Sequence, residues 1–160
     1  MPLEQRDKEL VAIGASIGSN CEPCITHHLA AGREAGLTQA ELDAAVASAH
    51  AVRREAVGLL TARIDELLGH RDGAAKPAAI ADTSRAYELV ALGVSVGANS
   101  HPLLRVHIAA ALEVGLEVHE IKSALKMAGY VQQHAAALTA EAVAGALTEG
   151  VAPSSMAATS

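Results

Sequence analysis

The chain contains itself twice. Residues 9–50 laid over residues 88–129, an offset of 79, share 18 of 42 positions without a gap. Glu9-Leu-Val-Ala-Ile-Gly-Ala-Ser-Ile-Gly lies over Glu88-Leu-Val-Ala-Leu-Gly-Val-Ser-Val-Gly, followed by Asn20 over Asn99, Pro23 over Pro102 and His28 over His107. Gly36-Leu37 matches Gly115-Leu116, and Glu41 matches Glu120. Such self-similarity means a tandem duplication, so the fold is expected to be one unit built twice. Residues 1–70 form the first repeat and 83–150 the second. Between them, 71–82 is a linker, and 151–160 is a small-residue tail expected to be disordered.

Each repeat reads as helices. Leu10, Ile13 and Ile17 recur at helical spacing, and Gly18-Ser19-Asn20 is turn chemistry. A second helix is expected from Asn20 or Cys21 to Gly36, a suitable C-terminal stop. Thr38 and Glu41 form a capping box that opens a third helix, which runs to Leu68 with a break expected near His50–Arg53. No segment alternates as a strand does. The 160 residues are 51% apolar yet lack Phe and Trp. The core must therefore be Ala, Leu, Val and Ile, whose small side chains let helices approach closely. The expected fold is all-α, a helical bundle of two repeats with pseudo-twofold symmetry. Gly14/Gly18 and Gly93/Gly97 would mark its close crossings, although for Gly18 and Gly97 simple looseness at a helix end is an equal reading.

A net charge of −6, scattered basic residues and almost no aromatics offer no nucleic-acid surface. No apolar run is long enough to span a bilayer, and the acidic, polar N-terminal residues do not resemble a secretory signal. A cytoplasmic protein is expected. In that compartment, two cysteines three residues apart point to catalysis or metal binding rather than to a structural staple.

Those cysteines lie in Cys21-Glu-Pro-Cys24-Ile-Thr-His-His28. On a helix, Cys21, Cys24 and His28 fall within an arc of roughly 60°. His27 points elsewhere and is read as a surface residue. The pair sits in the first turn, where free N–H groups and the helix dipole favour a thiolate. A histidine one turn beyond Cys24 can take or relay its proton. Pro23 suits the first turn, where its missing N–H costs nothing. Two other readings stay open. One is a zinc site of Cys21, Cys24 and His28 with Glu9 or His50 as fourth ligand, against which stands the lack of a second ligand pair. The other is a pair of inert buried thiols. His50, Arg53 and Arg54 approach the site if the third helix folds back over it, and a solvated charged face explains the arginines equally well. The second repeat is an internal control: it keeps Glu88, Asn99 and His107 but has Ser100 and Leu103 in place of the cysteines. Glutamate and histidine can therefore persist for structural reasons.

The string Glu9, Cys21-x-x-Cys24-x-x-x-His28 and Gly-Leu-Thr-x-x-Glu41 resembles the alkylhydroperoxidase D-like (AhpD-like) branch of the carboxymuconolactone decarboxylase family. The resemblance covers both repeats. It implies an all-α fold, a homo-oligomer (trimer or hexamer), and a dithiol oxidoreductase acting on a small hydroperoxide or a protein disulfide. No cofactor is implied beyond the redox-active disulfide and an external thiol reductant. Carried over, Cys24 is the attacking thiolate, Cys21 the proton donor and resolving thiol, and His28 and Glu9 the proton relay. One departure is Pro23, which stands where the dedicated peroxidase has a histidine. The decarboxylase branch lacks the cysteine pair, so lactone decarboxylation is not expected here.

Overall fold

A computed structural model describes residues 3–70, 76–77 and 83–150. Among these residues there are six helices and no strand: α1 (Gln5–Gly18), α2 (Glu22–Glu34), α3 (Gln39–Leu67), α4 (Arg85–Gly97), α5 (His101–Glu113) and α6 (Val118–Gly150). The second three repeat the first three in register. The linker, apart from residues 76–77, and the 151–160 tail lie outside the described residues.

The centre of the molecule is the pair α1 and α4. Residues 9–17 of α1 are all buried, as is nearly the whole of α4 from Glu88 onward. A helix that is apolar on every side belongs inside. The crossing is close because glycines meet backbone there. A Cβ on Gly14 would sit 2.1 Å from the Val90 carbonyl oxygen, and one on Gly93 would sit 2.1 Å from that of Val11. Gly18 faces Val94 and Gly97 faces Ala15 in the same way. Each of these closest approaches has its mirror at the offset of 79, which is the signature of a twofold relation. The close-crossing reading thus holds for all four glycines.

The long helices then interleave the two repeats. α3 packs on both α1 and α4, and α6 does likewise, so the repeats share one core. The expected break near His50–Arg53 is absent: α3 runs unbroken from Gln39 to Leu67. Residues 50–53 include no glycine or proline, and the inward side chains around them, Ala49, Val52 and Ala56, bury well against the central pair. No described helix is long and apolar enough to cross a membrane.

Matching ion pairs fix the start of each unit. Thr38 and Glu41 make the expected capping box, and Arg6 of α1 pairs with Glu41. The Thr38 backbone N–H and the Arg6 guanidinium hold the Glu41 carboxyl down at about 2. In the second repeat, Arg85 and the Glu117 N–H hold Glu120 at about 2 as well. Arg85 also reaches back to Asp7 at 2.7 Å and so ties the repeats together.

Candidate active site

A tight turn places the first cysteine. α1 ends with Asn20 in the left-handed region, at φ 55°. The Asn20 N–H bonds the Ile17 carbonyl at 3.2 Å, and the Cys21 N–H bonds that of Ser16 at 3.0 Å. This is a Schellman closure with Asn in the usual glycine position, a conformation Asn tolerates better than most residues. Cys21 is therefore both the last residue of that closure and the N-cap of α2, with Pro23 in the first helical turn. Its sulfur accepts the Cys24 backbone N–H at 3.3 Å. The same turn is clamped from α3, where the Arg53 guanidinium donates to Asn20 Oδ1 at 3.2 Å.

Cys21 and Cys24 are joined in a disulfide with Cα atoms 5.3 Å apart, inside the normal range for such a bond. Both are buried. One turn further along α2, His28 Nδ1 lies 2.9 Å from Glu9 Oε2 on α1. The Glu9 carboxylate is 3% exposed, and its other oxygen accepts from Gln5 Nε2 at 2.6 Å. A carboxylate accepts, so the Nδ1 proton lies between the two groups, and in the neutral imidazole Nε2 is the nitrogen left to accept. The His28 side chain retains 13% exposure. His27 is exposed, as its place on the helix implied.

Beside the disulfide is an open cavity of about 420 Å³. Cys21 lines it, Ile25, Leu29 and Val46 give it an apolar wall, and His50 and Arg53 stand at its polar rim. Cys24 and Arg54 do not reach it. Thus α3 does fold back over the site and brings His50 and Arg53 to it, while Arg54 stays exposed. The metal-ligand set weighed from the sequence is engaged otherwise, each sulfur with the other and His28 with Glu9. Among the described residues, no cluster of His, Cys, Asp or Glu is arranged to hold an ion. Gln5 had escaped notice in the sequence. Its signal was there, one turn before Glu9 on the same helix face.

In the second repeat, His107 Nδ1 and Glu88 Oε2 are again 2.9 Å apart, with both residues fully buried. Ser100 and Leu103 occupy the cysteine positions. Glu88 Oε1 and His107 Nε2 have no hydrogen-bond partner.

Residues 2–62, nearly all of the first repeat, match the profile of the carboxymuconolactone decarboxylase family. No protein of curated function matches the chain. Among solved structures, the chain is similar to a Burkholderia xenovorans protein described as a gamma-carboxymuconolactone decarboxylase subunit. The TM-score is 0.65 at 16% identity, over 92% of this chain and 80% of that one. At that identity the likeness speaks for the fold. The first repeat is thus similar to the carboxymuconolactone decarboxylase family, and the chain as a whole shares the all-α fold of that subunit.

Proposed function

We propose that this chain is a dithiol oxidoreductase of the alkylhydroperoxidase type, which reduces a hydroperoxide or a disulfide through Cys21 and Cys24. The observation that carries this reading is the disulfide at the start of α2 with the His28–Glu9 pair one turn on. In the reduced protein, His28 Nε2 takes the Cys24 thiol proton, and Glu9 holds the imidazole in the tautomer that can accept it. The first turn of α2 stabilises the resulting thiolate. The thiolate attacks the distal oxygen of the hydroperoxide and the O–O bond breaks. The departing alkoxide takes the relayed proton and leaves as an alcohol. Cys24 is then a sulfenic acid. The Cys21 sulfur displaces its hydroxyl as water and closes the disulfide. With a disulfide substrate, Cys24 forms a mixed disulfide, which Cys21 resolves. An external thiol reductant returns the two electrons and protons.

The same reading includes a homo-oligomer. Val57, Leu60, Ile64 and Leu67 are exposed at helical spacing along α3, a face suited to burial against another copy.

The test is the intact mass of the reduced, chelator-washed protein before and after one equivalent of hydrogen peroxide. A prompt loss of two hydrogens, reversed by a dithiol, is expected. Cys24→Ser should abolish it, and Cys21→Ser should stop at a sulfenic acid on Cys24. A sulfenic acid found on Cys21 in Cys24→Ser would exchange the two roles. No mass change in the wild-type protein would sink the peroxidase reading, and exchange with a disulfide substrate would then decide between a reductase and an inert pair.

A further inference from the structure

We infer that the cavity beside Cys21 selects an anionic substrate: an aliphatic hydroperoxide bearing a carboxylate, with the carboxylate on Arg53 and the chain on Ile25, Leu29 and Val46. This rests on the dithiol reading above and deepens it.

The two repeats separate the structural work of these residues from any further work. The apolar wall is common to both, with Leu104, Ile108 and Leu125 at the matching positions of the second repeat. The rim is not. Where the first repeat has Arg53, the second has Gln132; where the first has His50, the second has Gly129. Gln132 does the structural job that Arg53 does, since its Nε2 donates to Asn99 Oδ1 at 2.9 Å and so clamps the matching turn. A neutral amide therefore suffices to hold the turn. The repeat with cysteines carries a guanidinium there instead, at the edge of a cavity lined by Cys21, whose sulfur is bonded to that of Cys24, the attacking residue of the dithiol reading. The described hydrogen bond of Arg53 is the single one from Nη1 to Asn20. That leaves the rest of the planar fork available to a carboxylate, the group it matches best. Glu22, also at the rim, is exposed, so water screens its charge. An apolar wall ending at a fixed cation fits an amphipathic anion better than hydrogen peroxide or a neutral disulfide.

Binding and turnover test this separately. The oxidised protein is titrated calorimetrically with octanoate and with 1-octanol, neither of which can react. Octanoate is expected to bind roughly tenfold to a hundredfold more tightly. Arg53→Gln, which copies the clamp of the second repeat, should bring the two affinities together, and Arg53→Lys should restore part of the difference. In turnover, a hydroperoxy fatty acid should exceed its methyl ester in kcat/KM through KM, with the ratio falling toward unity in Arg53→Gln. Equal affinity for octanoate and octanol in the wild-type protein would overturn the inference. So would a preference that survives Arg53→Gln, which would leave Arg53 as a clamp only. Failure of the dithiol reading looks different: no peroxide would close the disulfide, whatever the octanoate result.

Discussion

In the first repeat, Glu9 and His28 meet beside a disulfide; in the second, Glu88 and His107 meet beside a serine and a leucine. The separation is 2.9 Å in both. The surroundings differ in two ways. Gln5 serves the second oxygen of Glu9, whereas Ser84, at the matching position, is spent on capping the Tyr87 N–H. His28 also keeps some exposure, whereas His107 is sealed at 1% with Nε2 unpaired. A buried carboxylate–imidazole pair is thus compatible with bracing two helices and nothing more. What supports the proposed proton relay in the first pair is the sulfur on the same helix face and the route to water.

The sharpest way to break this comparison is to remove the same charge from each pair. Glu9→Gln is expected to lower kcat/KM for peroxide by about a hundredfold, the usual loss when a proton relay is cut. Glu88→Gln should leave turnover close to wild type, because no reacting group lies beside it. Steady-state rates for the two variants, with circular dichroism to confirm folding, decide the matter. Equal losses would mean that both pairs act through helix packing.

A second test sharpens the symmetry itself. Gly14→Ala and Gly93→Ala drive a methyl group into backbone carbonyls that are mirror images of each other. Each should cost about 3 kcal/mol, as overpacking against rigid backbone does. Gly129, in α6, has nothing within 4 Å of a built Cβ. There alanine should stabilise by about 0.5–1 kcal/mol through helix propensity. Denaturant unfolding of the three variants checks this. Unequal losses at Gly14 and Gly93 would show that the α1–α4 crossing is not energetically twofold.

Much of this was legible in the sequence because a repeat carries its own alignment. The offset of 79 predicted matched helices, and Gly14 and Gly93 predicted where they would cross, while Gly18 and Gly97 fitted a crossing or a loose helix end equally. Cys21, Cys24 and His28 share one face because helical periodicity is a local property. What the sequence did not disclose depends on elements far apart along the chain. Arg53 meets Asn20 only because α3 lies across the end of α1, and that is decided by the α1–α4 packing. The expected break at His50–Arg53 had the same origin. The helix runs through there because His50 and Arg53 face a cavity while Ala49 and Val52 continue the buried face.

The smallest effect on rate is expected from the most suggestive change, Ser100→Cys with Leu103→Cys. The backbone is ready for it: Ser100 has φ −91° and ψ 88°, against −98° and 99° at Cys21. Oxidation should therefore close a second disulfide, seen as a further loss of two hydrogens in the intact mass. Replacing the fully buried Leu103 should cost about 2–3 kcal/mol in stability, since the thiol leaves a cavity. Peroxide turnover per chain should nonetheless not rise. The second site would have sulfurs and an imidazole, but that imidazole is sealed from water and the rim positions hold Gly129 and Gln132. A doubled rate would show that the thiols alone divide the two repeats. A new disulfide with an unchanged rate would assign the difference to access and charge around the sulfur, which the second repeat lacks even where its backbone is the same.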